Sequence, residues 1–281
     1  MKRWIMGLMV LAMAAITLPA RAGNIALTGH DDDFHCVYGT AGCAQLAALV
    51  NFAKNGSSLT VLTFDAGTEL TGDLTALGIS FFNVNPDTAG AVTASLFDNS
   101  LYSAFIVASD STCGGCDNSP TGEAAIAAQS AAIASFLNAG GGIVGLAGAS
   151  SPGYYAFSPQ TATSVGGAPS EGYSQTSVGA TFSINAVNGD ATHNLFENPG
   201  TFGESAFYQV AEVNATGNES IPGPNAATTL LCDLCTVSGG VITGGGGGGG
   251  GVTPEPSSFI LLGSGLLGLA GVAKRRFLQT A

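Results

Sequence analysis

The sixteen residues "FLNAGGGIVGLAGASS", Phe136 to Ser151, decide how the rest of this chain is read. Their left end closes an amphipathic helix. Ser119 is placed to cap that helix, Pro120 suits its first turn and Glu123 favours its positive end. Ile126, Ile133 and Leu137, with Ala and Phe136 between them, build its apolar face, and Asn138-Ala139-Gly140 stops it. The glycines then lead into "GGIVGLAGA", a strand apolar on both sides that runs into a turn of small residues. A strand without a polar side is buried on both faces, which calls for a parallel sheet covered by helices.

Working outward, the same pattern repeats. Residues 24–29, 59–64, "GISFFNV" and "YSAFIVAS" (Tyr102 to Ser109) read as earlier strands. Between the first two, Leu46, Leu49, Val50 and Ala53 fall at helical spacing and Asn55-Gly56 ends the run. Residues 150–179, rich in Ser, Gly, Pro and Tyr, are expected to loop over the sheet edge. Segments 180–187, 205–213, 227–232 and 236–242 are expected as later strands. The fold class implied for residues 23–242 is α/β, doubly wound, with a mainly parallel sheet and helices on both faces.

The two ends carry different instructions. Met1-Lys2-Arg3, an apolar run to Leu18 and Pro19-Ala20-Arg21-Ala22 have the three parts of a secretory signal peptide, covering residues 1–22 and implying the Sec export machinery. Gly244 to Gly251 is an unbroken glycine run inside a linker at 243–252, a flexible tether spanning roughly 15 Å. Beyond it come Pro254, Glu255 and Pro256, an apolar span at 257–273, and Lys274, Arg275 and Arg276. Seventeen residues of helix rise roughly 25 Å, the short limit for a membrane crossing, with the basic triplet held inside.

This tripartite end, residues 253–278, resembles the PEP-CTERM sorting signal. The resemblance implies processing by an exosortase, a transient inner-membrane anchor, and a final place in the cell envelope, at the outer surface or outside the cell. It also implies a setting in exopolysaccharide-producing bacteria.

Between the ends the charge is lopsided. Lys54 is the one cation from Gly23 to Ala273, against all 19 carboxylates, a net charge of −18. Phosphate backbones are bound by Lys and Arg, so nucleic acid is excluded as a partner, while cations fit. The six cysteines fall in three close pairs: Cys36 and Cys43, Cys113 and Cys116, Cys232 and Cys235. In an exported chain these point to disulfides, although six cysteines allow 15 pairings. The two C-x-x-C pairs also match zinc ligation, and Cys113-x-x-Cys116, just before a helix, matches a redox pair.

The order of elements resembles the class I glutamine amidotransferase-like fold, and within it the ThuA-like branch. Three passages carry this: the first strand into "TGHDDDFH", the "FLNAGGGIVGLAGASS" passage, and "DATHNLFENPG". The resemblance implies a cysteine nucleophile at the sharp turn after the central strand. Here that turn is Gly145-Leu146-Ala147-Gly148-Ala149, without thiol, hydroxyl or imidazole, so catalysis of that kind is not expected. Ser150 and Ser151 follow without a G-x-S-x-G frame.

His30-Asp31-Asp32-Asp33-Phe34-His35 emerges where ligands collect in open α/β sheets, beyond a strand's carboxyl end. Two readings stand. In one, the aspartates cap the next helix and stay solvated. In the other, His30, Asp31, Asp33 and His35 hold a divalent cation, with Asp65, Asp110 or His193 adding to them, as in an extracellular metal-dependent hydrolase. No other cofactor is expected. The favoured reading is an exported, sorted surface or matrix protein whose domain binds rather than catalyses, around exopolysaccharide.

Overall fold

The computed structural model describes residues 22–36, 39–151, 153–160, 162–189, 192–197, 208–223, 226–238 and 241–243. The signal segment up to residue 21, the glycine run and the sorting tail, with its expected span 257–273, lie outside the described residues. Among the described residues no helix is long and apolar enough to cross a membrane.

Strand β1 (Gly23–Thr28) leads into a one-turn helix α1 (Asp32–His35) and then α2 (Ala41–Lys54). Next come β2 (Thr60–Phe64), α3 (Glu69–Ala76), β3 (Phe81–Val84) and β4 (Tyr102–Val107). Helices α4 (Pro120–Ala127) and α5 (Ser130–Asn138) precede β5 (Gly142–Gly145). These five strands lie in the order β3-β2-β4-β5-β1, every neighbouring pair parallel.

Alternation along each strand divides the core in two. Ile25, Leu27, Phe64, Phe105, Val107 and Ile143 face α4, α5 and a 3₁₀ turn at Tyr154–Phe157. Ala26, Val61, Ala104, Ile106 and Val144 face α2 and α3 through Leu46, Leu49, Val50, Leu70 and Leu74. Helices therefore cover both faces, as the apolar strands require. The sequence signals for two helix ends hold, Ser119 accepting from the Gly122 amide and Asn55 ending α2 at φ 47°, while Thr40, not singled out in the sequence, caps α2 by accepting from the Cys43 amide. The single helix expected after Ser119 is two, because the backbone leaves helical geometry at Gln129.

The expected mainly parallel sheet is only half the sheet. Past Ser150 the strands are β6 (Ser164–Gly166), β7 (Tyr173–Gln175), β8 (Asn194–Glu197), β9 (Gln209–Asn214), β10 (Ala226–Ser238) and β11 (Val241–Thr243), and all their pairings are antiparallel. A parallel return needs a crossover of a dozen or more residues, usually a helix, and among the described residues the one α-helix between these strands is the six-residue Ser177–Phe182. β10 docks on β1, with Leu27 opposite Leu230, and so fuses the two halves.

Segment 180–187 is not a strand. Helix α6 (Ser177–Phe182), capped by Thr176, occupies its start, and Phe182 stacks edge-on against Phe52 of α2. The strands expected at 227–232 and 236–242 are instead one long strand with a bulge, followed by the short β11. At the bulge Leu234 takes φ 52° and points outward, while its amide bonds Asn24 and the flanking Cys232 and Cys235 stay buried. All three cysteine pairs are local disulfides: Cys36–Cys43, Cys113–Cys116 and Cys232–Cys235. With every cysteine paired this way, the two C-x-x-C pairs do not meet around one zinc.

Candidate functional site

The carboxyl ends of β4, β5 and β1 lie side by side, and three loops meet there: residues 28–36, 108–119 and 145–151. The loop after β1 is unlike the solvated acidic cap expected of it. Asp31, Asp32 and Asp33 are each no more than 2% exposed, and Asp31, at the N-cap position of α1, makes no capping bond.

The six residues from His30 to His35 have separate fates. His30 is buried with both ring nitrogens engaged, Nε2 with Glu212 at 2.8 Å and Nδ1 with Thr192 at 2.8 Å. Glu212 also receives Gln45 Nε2, the Thr229 hydroxyl and the Val187 amide. This cluster ties the β1 loop to the antiparallel half. Asp33 accepts the Ser109 amide at 2.7 Å and the Ser109 hydroxyl at 2.6 Å. Burial pushes the Asp33 carboxyl up to about 7 against the pull of those bonds. His30 and Asp33 are thus internal pins, with their polar atoms turned to the protein.

Asp31 differs. Its Oδ2 lies 3.1 Å from His193 Nε2, 3.3 Å from His35 Nε2 and 3.9 Å from Cys116 Sγ. Asp31 Oδ1 is buried with no hydrogen-bond partner among the described residues. The His35 and His193 side chains are 32% and 23% exposed, so the cluster opens to solvent. A carboxylate oxygen of Asp31, a nitrogen of His193 and Cys113 Sγ all lie within 4.8 Å of one another. The structure therefore joins Asp31 and His35 with His193 and the Cys113–Cys116 pair, and sets His30 and Asp33 apart.

Glycines in "CGGC" make this meeting feasible. Gly114 has φ 100°, a left-handed conformation costly for other residues. A Cβ on Gly115 would meet the outer edge of the Phe34 ring, so glycine lets Phe34 lie over the disulfide loop without shifting. Asp65 and Asp110, candidates for further ligands, turn into their own loops. Asp65 accepts the Gly67 and Thr71 amides, and Asp110 accepts the Thr112 amide and hydroxyl. Burial, together with the neighbouring Asp117 side chain, pushes Asp65 up to about 6.

The turn after β5 is closed. Ala149, the last residue of the Gly145–Ala149 turn, stands at φ 44°, a conformation rare for a residue with a Cβ. The Leu146 and Gly148 amides bond the Tyr154 and Tyr155 hydroxyls, the Ala147 amide bonds the Ser109 hydroxyl, and the Ser150 amide bonds the Thr112 hydroxyl. Those N–H groups are unavailable to stabilise a developing oxyanion. The tyrosine hydroxyls in turn donate to Val107, Ala108, Thr28 and Leu146 carbonyls, stitching three strand ends together. Burial holds both hydroxyls protonated.

Ser151 donates to Glu123 at 2.8 Å. Glu123 is buried, and desolvation, then its contact with Asp110, pushes it up to about 9. It is a neutral acid at pH 7 and not the charged helix-start residue expected. A serine bonded to a protonated carboxyl has no base to activate it.

Residues 252–276 match the family model for the PEP-CTERM protein-sorting motif. No curated protein and no solved structure matches the chain. The resemblance of the central domain to the ThuA-like branch has no family match behind it. The sorting motif marks an exported protein of the cell envelope or surface, with an exosortase as its processing partner.

Proposed function

We propose that this exported, exosortase-sorted protein presents its α/β domain outside the cell as a binding or structural module, not a catalyst, in the setting of exopolysaccharide. The observation that carries the reading is the sorting motif at residues 252–276. The signal-peptide pattern, the glycine tether and the net charge of −18 over residues 23–273 agree with export, release and solubility. The turn after β5 supports the non-catalytic part, since Gly145 to Ala149 carry no thiol, hydroxyl or imidazole and the Leu146, Ala147, Gly148 and Ser150 amides are already bonded.

The test is the intact mass and location of the product from its native host, with and without the exosortase. Expected is a surface or extracellular protein lacking residues 1–22 and the tail beyond the Pro254-Glu255-Pro256 region, with the tail retained and membrane-bound when the exosortase is missing. A cytoplasmic product with both ends intact defeats the proposal. Turnover of glycosides, esters or amides abolished by one substitution at Ser151 or Glu123 defeats its non-catalytic part. Retention of the wild-type domain on the host's exopolysaccharide is the expected binding result, and its absence removes the exopolysaccharide setting.

A further inference from the structure

The Asp31 carboxylate is buried, yet all its neighbours converge on one oxygen. His35, His193 and the Cys116 sulfur approach Oδ2, while Oδ1 meets no donor among the described residues. Asp31, His193 and Cys113 each offer a donor atom within 4.8 Å of the others, a spacing that one bound ion can bridge. Imidazole nitrogens and a carboxylate oxygen that bind zinc at about 2.0–2.2 Å sit roughly 3.4 Å apart in a tetrahedron. The two contacts observed here, 3.1 and 3.3 Å, are of that length.

We infer that Asp31, His193 and Cys113, whose donor atoms lie within 4.8 Å of one another, form a binding site for a zinc-class divalent cation, with His35, which meets Asp31 Oδ2, completing the ligand set, and that Cys113 joins it when the Cys113–Cys116 disulfide is opened. The donor set selects the ion. Two imidazoles and a thiolate suit zinc or cobalt, whereas calcium takes six to eight oxygens. Placement supports access: the two imidazoles are partly exposed and Asp31 lies beneath them.

While the disulfide is closed, Cys113 offers no thiolate, and three protein ligands leave one position open. A dithiol reductant opens it. One reductant thiolate attacks the half-buried Cys113 sulfur, and Cys116 leaves and takes up a proton. The second reductant thiolate closes the reductant's own disulfide and releases Cys113 as a thiolate, the remaining proton passing to solvent. Two electrons move from the dithiol to the protein sulfurs, and the ion gains a ligand. Metal affinity then reports the oxidation state of the pair, independently of whether the tail is cut.

The experiment titrates the native exported protein with Zn²⁺ against a chromophoric chelator, before and after treatment with a dithiol, and repeats the comparison with Co²⁺. Expected is one ion per chain, binding about tenfold or more tighter after reduction, with a thiolate-to-cobalt charge-transfer band only in the reduced form. Cys116→Ser frees Cys113, so its band is present without reductant. Cys113→Ser removes both the band and the change in affinity. His193→Ala weakens binding about tenfold or more in both states, and this half-exposed position carries the test if Asp31→Asn fails to fold. No stoichiometric zinc in either state overturns the inference. So does binding unchanged in His193→Ala, or a redox gap that persists in Cys113→Ser.

Discussion

Two loops leave the same edge of the sheet, one after β5 and one after β1, and they treat their polar groups in opposite ways. After β5 the amides of Leu146, Ala147, Gly148 and Ser150 are each bonded to a hydroxyl, from Tyr154, Ser109, Tyr155 and Thr112. After β1, Asp31 keeps one buried oxygen without a donor and gathers its neighbours on the other. The first loop has the geometry of a reactive turn without reactive atoms. The second has reactive atoms in a loop that resembles no standard motif. What separates them is where the donors go: after β5 the backbone amides are spent on buried hydroxyls, whereas after β1 two partly exposed imidazoles gather on one carboxylate oxygen.

The comparison predicts effects of graded size. Tyr155→Ala empties a buried ring site and unties Thr28, Leu146 and Gly148, so a loss of about 3–5 kcal/mol in denaturant unfolding is expected. A loss under about 1 kcal/mol would mean that the turn does not depend on the tyrosines.

The second prediction concerns pH. Glu123 and Asp33 both titrate higher in the folded protein than in the unfolded chain, so the folded state holds protons that the unfolded state releases. Their contribution is present below the ordinary carboxylate range and is lost as pH rises toward about 7 for Asp33 and about 9 for Glu123. The melting temperature is expected to fall by about 5–10 °C between pH 5 and pH 8.5. Glu123→Gln, neutral throughout, should flatten much of that slope. A melting temperature that rises across the range would contradict the burial of these acids.

Tyr154→Phe keeps the ring but leaves the Leu146 amide without its acceptor, and about 1–3 kcal/mol is expected. Smallest of all, His35→Ala should change stability by about 1 kcal/mol or less, since its side chain is 32% exposed and His193 still meets Asp31 Oδ2. A large loss there would give His35 a packing role and erase the contrast between the loops.

How much of this was legible in the sequence depends on the range of the interaction. The cap at Ser119 and the stop at Asn55 were readable because the donor or turn lies within three or four residues. Strands β1, β2, β4 and β5 were readable because burial on both faces leaves an unbroken apolar run. The short strands after Ser150 were not, because Tyr173 to Gln175 and Ser164 to Gly166 carry no period of their own and exist through their partners. At the site, "HDDDFH" drew attention as a unit, but its members diverge. Tyr154 and Tyr155 went unnoticed as pins, although adjacent tyrosines just after a strand of small residues were the available signal.

The sequence by itself determined the address of this protein, its three close cysteine pairs, its acidity and the parallel half of its sheet. These follow from local composition and short-range spacing. Only the tertiary structure decided that His30 would spend both nitrogens on Glu212 and Thr192, each more than 160 residues away, while His193 would cross a similar distance to reach Asp31. A side chain's chemistry is written in the chain, but its availability depends on which distant groups reach it first.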